Sequence, residues 1–188
     1  MNSICKILFA LFIFLLPARS IGADPIYNKK GQWILPQGYE TWVFVGSNLG
    51  LGYVGEPSTP PPKFRNVYME TEAYETFMIT GEFPEPTQFL FEVYSAKDRV
   101  EDGEINAGVY NSELLSVVGS VKDSRRPIRN ASKENWAYYV FPVHEGQVAE
   151  AATARPDSQC WSCHNEHAGY DKVWVQLYPR LRERLEKY

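Results

Sequence analysis

Two thiols and an imidazole fall within five residues, Cys160-Trp161-Ser162-Cys163-His164, in a chain with only three Cys and three His in all. Cysteines three positions apart on a helical turn project to one side. From there both can add to the two vinyl groups of a haem, and His164 presents its imidazole to the iron from the same side. This is the c-type haem attachment pattern. Three other chemistries use the same residue types. A thioredoxin-like redox pair wants a strand-to-helix setting in an N-terminal βαβ unit, which this chain lacks. A zinc site needs further strong ligands, and His167 alone is close in sequence. A disulfide closing so short a loop is uncommon, although an exported chain permits one. One covalent haem c is the reading favoured over these three.

If a haem is present, its sixth position separates an electron carrier from a ligand-binding protein. The candidates outside the N-terminal segment are Met69, Met78, His144 and His167. His167 is one helical turn beyond His164 and cannot cross to the opposite haem face. Met78 belongs to the apolar face of a helix, Met69 ends a strand, and His144 follows a strand into a loop. None stands out, so an open sixth position is expected.

The elements that must position these residues begin after an N-terminal leader. Lys6, the apolar run Ile7 to Leu16, Pro17 and the small-residue site Ile21-Gly22-Ala23 read as a secretory signal peptide over residues 1–23, which carries Cys5 away with it. No later stretch is apolar enough to span a membrane. Export to the periplasm agrees with thioether haem attachment, which takes place outside the cytoplasm. Residues 24–188 read as one domain, long enough to bury a core. Loss of Lys6 and Arg19 makes the formal charge of −4 more negative by two. That acidity argues against nucleic acid and anionic lipid and leaves small molecules or a redox partner protein.

Within the domain, Pro60-Pro61-Pro62 sits in a loop from Gly55 to Lys63, and Arg65 to Glu70 reads as a short strand. Thr71 to Thr80 reads as a helix with Thr71 as N-cap and Gly81 as C-cap; Tyr74, Phe77 and Met78 share a face. Gln88 to Tyr94 alternates, with Phe89 and Phe91 on one face and Leu90 on the other. Lys97 to Glu104 is a charged loop, Val109 to Val121 one or two strands, and Lys122 to Glu134 a polar loop. Trp136 to Phe141 is apolar on both faces, as a covered central strand is. From Gln147 the chain reads as helical, with Asp171 capping one helix and Pro179 opening the last, Leu181 and Leu185 facing inward. Tyr170, Val173, Trp174 and Leu177 are placed to cover the proximal haem edge. Loops too short for crossover helices make this an α+β fold: a mainly antiparallel sheet with a few helices and the haem site near the C-terminus.

Several blocks taken in order resemble the cytochrome P-460 family, which includes the cytochromes c′-beta. They are Tyr39 to Gly46, Phe64-Arg65 to Tyr68, Thr80-Gly81-Glu82-Phe83, Ser120 to Ser124, Asn135-Trp136-Ala137, the Cys160 to His167 segment, and Val175 to Leu181. The resemblance implies an antiparallel sheet, usually a homodimer, and one five-coordinate haem with His164 as its proximal ligand. The best-known members oxidise hydroxylamine and carry a Lys crosslink to the haem. Aligned through Gly81-Glu82-Phe83 and Glu92, that position holds Phe91, and the nearest lysine is Lys97. Where the oxidising relatives place a proton-handling carboxylate, this chain has Val118, and Glu113 nearby reads as solvated.

The cytochromes c′-beta instead have an apolar, Phe-lined distal pocket that binds nitric oxide (NO) and carbon monoxide (CO). Phe91, with Phe89 and Val118, is similar to that pattern. Such a pocket suits neutral diatomic gases, which bind ferrous iron with little polar help. Arg65 aligns near the haem, where it would pair with a propionate or reach the distal side. The favoured role is therefore diatomic gas binding. A nitrogen-species oxidoreductase without the crosslink is second, and an electron-transfer cytochrome third. Two further patterns read as ordinary surface: the Asn130-Ala131-Ser132 sequon, and the basic residues Lys122, Arg125, Arg126 and Arg129 as a docking patch.

Overall fold

The computed structural model describes residues 23–52, 62–99, 108–127 and 135–186. The expected signal peptide up to Gly22, Pro60 and Pro61, Arg129 and the sequon lie outside these residues.

Five strands follow one another as an antiparallel meander: β2 (Val43–Leu49), β3 (Lys63–Met69), β4 (Thr87–Arg99), β5 (Gly108–Lys122) and β6 (Trp136–His144). A two-residue β7 (Gln147–Val148) pairs with β6 at the far edge. Earlier in the chain, β1 (Trp33–Ile34) forms a separate ribbon with β8 (Ala151–Ala152). Three helices complete the described fold: α1 (Thr71–Thr80), α2 (Trp161–His167) and α3 (Pro179–Glu186). This is the α+β, mainly antiparallel architecture that the sequence predicts.

Register decides which side chains share a face. Val67, Phe91, Val118 and Val140 stand in one cross-strand row, and Met69, Phe89, Ser120 and Tyr138 in the next. Because side chains alternate along a strand, Leu90, Val117, Gly119 and Tyr139 point to the opposite face. Each face has its own apolar core. Val67, Met69, Phe77, Phe89, Trp136, Val173 and Leu181 pack on the first, under α1 and the C-terminal segment. Trp33, Leu90, Val117, Val121, Tyr139 and Phe141 pack on the second. There Trp33 lies directly over Gly119: a β-carbon on that glycine would come within 2.4 Å of the Trp33 ring.

Local boundaries follow from chemistry the chain carries. Gly81, at φ 80°, ends α1 in the left-handed conformation that a glycine adopts without steric cost. The N-cap of α1 is Glu70 rather than Thr71. Its buried carboxylate accepts from the Glu72 and Ala73 amides at 3.1 and 2.8 Å.

Other differences from the sequence reading have similar causes. β4 continues through Lys97 to Arg99 because these residues pair with Gly108 to Tyr110 of β5, so the charged loop begins later. β6 is buried on both faces but lies next to the edge, since its outer neighbour is the two-residue β7. The chain after Gln147 is not helical until Trp161, and the short strands β7 and β8 come first.

The basic residues read as ordinary surface are in part engaged or buried. Lys122 bonds to Asp171 and the Phe83 carbonyl, Arg125 pairs with Asp24 and Asp123, and Arg126 is buried with a bond to the Asn135 carbonyl.

Candidate functional site

The motif occupies the start of α2. Cys160 is its N-cap residue, and the His164 amide closes the first turn on the Cys160 carbonyl at 3.1 Å. Cys160 and His164 are thereby stacked one turn apart, with Cys163 beside them, and all three are half-buried. They line one cavity of about 320 Å³. Its sheet wall consists of Val67, Phe89, Phe91, Val118 and Ser120, with Tyr138 at the β6 end and Arg65 and Asn48 at the β3–β2 end. The residues named from the sequence for attachment, axial ligation and the distal pocket, Cys160, Cys163, His164, Phe91, Phe89, Val118 and Arg65, all line this cavity.

The two nitrogens of His164 are differentiated. Nδ1 lies 2.8 Å from the Lys172 carbonyl, an acceptor, so this nitrogen carries the proton. Nε2 accepts from the Trp174 indole N–H at 3.1 Å and so holds the lone pair. Burial pushes the imidazole below its usual pKa, opposed by the Lys172 hydrogen bond, and the ring is neutral at physiological pH. A neutral imidazole with Nδ1–H on a backbone carbonyl and the lone pair on Nε2 is the form of a metal-ligating histidine, although here the Trp174 indole holds that lone pair and must give way before Nε2 can coordinate.

A turn that the sequence reading missed builds this arrangement. Tyr170 and Val173 exchange backbone hydrogen bonds at 3.3 and 2.8 Å, closing a two-residue hairpin. Its central residues, Asp171 and Lys172, both adopt positive φ, 41° and 61°. Positive φ at both centres is the primed turn that hairpins favour, and it is usually supplied by Asn-Gly or Asp-Gly. Asp171 therefore caps no helix. Its carboxylate accepts from Lys122 Nζ at 2.8 Å and Trp136 Nε1 at 3.2 Å. The turn carries Val173 and Trp174 into the cavity lining, along with Leu177 beyond it, whereas Tyr170 packs away from the cavity against Phe77 and Phe83. Tyr138 completes the His164 surroundings, with its ring 4.3 Å from the imidazole and its hydroxyl donating to the Lys172 carbonyl at 3.3 Å.

The residues fit a haem better than the competing chemistries. Cys160 and Cys163 are both free thiols. Burial pushes the Cys160 thiol up, partly offset by Arg155, whereas a redox-active cysteine is held low. Among the described residues no group of three or more His, Cys, Asp or Glu side chains is placed to hold a metal ion, and zinc lacks its further ligands. Two thiols, a coordinating imidazole and flat apolar walls are the donor set and surface that a haem needs. The buried Asn48 Oδ1 and Trp161 Nε1, both without a partner, mark polar atoms that the protein alone leaves unsatisfied.

The possible sixth ligands lie elsewhere. Met69 is buried in the first core, Met78 packs against that core from α1, and His144 and His167 are exposed. None of the four is among the cavity's lining residues.

No helix among the described residues is long and apolar enough to cross a membrane. No curated protein matches the chain. The cytochrome P460 family model matches residues 36–175, a span that takes in the meander, both motif cysteines, His164 and the hairpin that holds it. The chain belongs to the cytochrome P460 family.

Proposed function

We propose that this protein is an exported, homodimeric monohaem cytochrome c that binds nitric oxide or a similar diatomic gas at a five-coordinate iron. Family membership makes it a haem cytochrome. Within that frame, Cys160 and Cys163 form the thioethers and His164 is the axial ligand. The carrying observation is the cavity's composition. The wall facing the thiols and His164 is mainly apolar, with Val67, Phe89, Phe91 and Val118 beside Ser120, and among the described residues no Asp or Glu lines the cavity.

When bound, the haem supplies an iron that takes a diatomic gas by orbital overlap. The protein's share is to exclude and to orient. Phe91 and its neighbours keep bulk water from the open side. Among the described residues no carboxylate lines the cavity to accept the protons that oxidising a nitrogen hydride would release. That counts against an oxidoreductase, and the placement of Met69, Met78, His144 and His167 counts against a six-coordinate electron carrier. Arg65 donates to the Leu51 carbonyl at 2.8 Å and so is engaged at the cavity's rim.

The test is expression in a bacterial host with periplasmic haem c maturation. The expected product carries one haem per chain that acid–acetone does not extract. It has a high-spin ferric spectrum and forms ferrous NO and CO adducts, and His164→Ala keeps the haem but loses the axial-ligand signature. A crosslinked-haem spectrum with hydroxylamine turnover, or a low-spin ferric spectrum with a Met-to-iron band, would overturn the gas-binding role. An unchanged spectrum in His164→Ala would overturn the axial assignment.

A further inference from the structure

Resting on the haem reading of this cavity, we infer that Asp171 is the positioning residue for the axial histidine and that Tyr138 sets how strongly that histidine donates to iron. Five contacts carry this. Asp171 is tied to β5 by Lys122 at 2.8 Å and to β6 by the Trp136 indole at 3.2 Å. Lys122 is fixed in turn by the Phe83 carbonyl at 2.8 Å. Asp171 and Lys172 hold φ values of 41° and 61°, a conformation that costs free energy in non-glycine residues and persists only when its surroundings over-determine it. The Lys122–Asp171–Trp136 anchor is that over-determination. Its product is one carbonyl, Lys172 O, placed 2.8 Å from His164 Nδ1.

The same carbonyl accepts from the Tyr138 hydroxyl at 3.3 Å. A carbonyl shared between two donors pulls less on each. Without the tyrosine bond, the Nδ1–H would polarise further toward imidazolate and Nε2 would become a stronger electron donor. The anchor and the tyrosine therefore act on Nε2 in opposite senses, the anchor strengthening its donation and the tyrosine moderating it.

Opposite signs make the inference testable. In the haem-loaded protein, Asp171→Ala and, independently, Lys122→Met release the turn. The ferrous iron–histidine stretch, read by resonance Raman, is expected to fall. The redox equilibrium is expected to shift about tenfold toward ferrous, a rise of about 59 mV for a one-electron couple. Tyr138→Phe is expected to raise the stretch and move the potential the other way by a smaller amount. If Asp171→Ala does not fold, Lys122→Met carries the first arm. Unchanged stretch and potential in the folded anchor variants would overturn the anchor's role, and a shift of the same sign in Tyr138→Phe would overturn the tyrosine's. A wild-type protein lacking covalent haem or an iron–histidine stretch would instead overturn the reading beneath both.

Discussion

Phe91 stands mid-wall in the cavity, flanked by Val67 on β3 and Val118 on β5. Truncating it to Ala opens the side of the cavity that faces His164. In flash photolysis of the ferrous CO adduct, the rebinding rate of Phe91→Ala is expected to rise on the order of tenfold, the equivalent of ~1.4 kcal/mol off the entry barrier. An unchanged rate would remove Phe91 from the ligand's path. The stability cost belongs at or below the low end of the ~3–5 kcal/mol for a buried Phe→Ala, because the ring is only half-buried. At this scale the sequence was most informative where chemistry is concentrated in adjacent residues: the two thiols and the imidazole announce themselves by spacing. Asp171, Lys172 and Tyr138 were missed for a physical reason. Apart from the His164–Lys172 contact, their partners are 34 to 49 positions away, and a primed turn built from Asp-Lys lacks the glycine that signals one.

Elements show the same division between local and distant causes. α1 was legible to the residue at its C-terminus because Gly81 is a local stop, whereas its N-cap went to Thr71 because glutamate is not among the usual capping residues. β7 and β8, two residues each, are too short to show periodicity, and their pairing with β6 and β1 alone defines them. Two predictions belong here. A methyl group at Gly119 would press on Trp33 at 2.4 Å and Leu90 at 2.8 Å. Gly119→Ala is expected to cost about 1–3 kcal/mol of overpacking strain in urea unfolding, and an unchanged midpoint would show that the indole shifts freely.

The second concerns Glu85, which braces the entry to β4 against the segment between β5 and β6 through Ser124 and Asn135. Burial would raise its pKa, but those hydrogen bonds and the Lys122 charge outweigh burial and hold it below 4.5. A folded-state pKa below the unfolded one means this stability is complete above pH ~4.5 and is lost as pH falls through the folded value. Glu85→Gln is expected to flatten the fall in melting temperature below that pH; an identical acid profile would show that the bonds contribute nothing.

Across the whole molecule, the sheet divides two cores with different duties. One lies against the cavity, and the other, built on Trp33, Tyr139 and Phe141, backs the wall from the opposite face, with Trp33 against Gly119. Leu181, on the last helix, is fully buried in the cavity-side core. Leu181→Ala is expected to lose about 2–5 kcal/mol, with a parallel loss of haem retention if α3 clamps the hairpin that holds His164; destabilisation with full retention would place the clamp elsewhere. Composition and alternation carried the fold class to this scale. The division of labour between the two faces was not readable, because it depends on register, and a one-residue slip exchanges every side chain between them.

The order of the meander also sets a timetable. All five long strands precede Cys160 along the chain, so in the proposed export and haem attachment the receiving wall would emerge first. Cys160, Cys163, His164 and the hairpin that aims the imidazole follow together after it. Attachment machinery would thus meet a tethering peptide still short of its final packing, next to a surface already shaped to take the macrocycle.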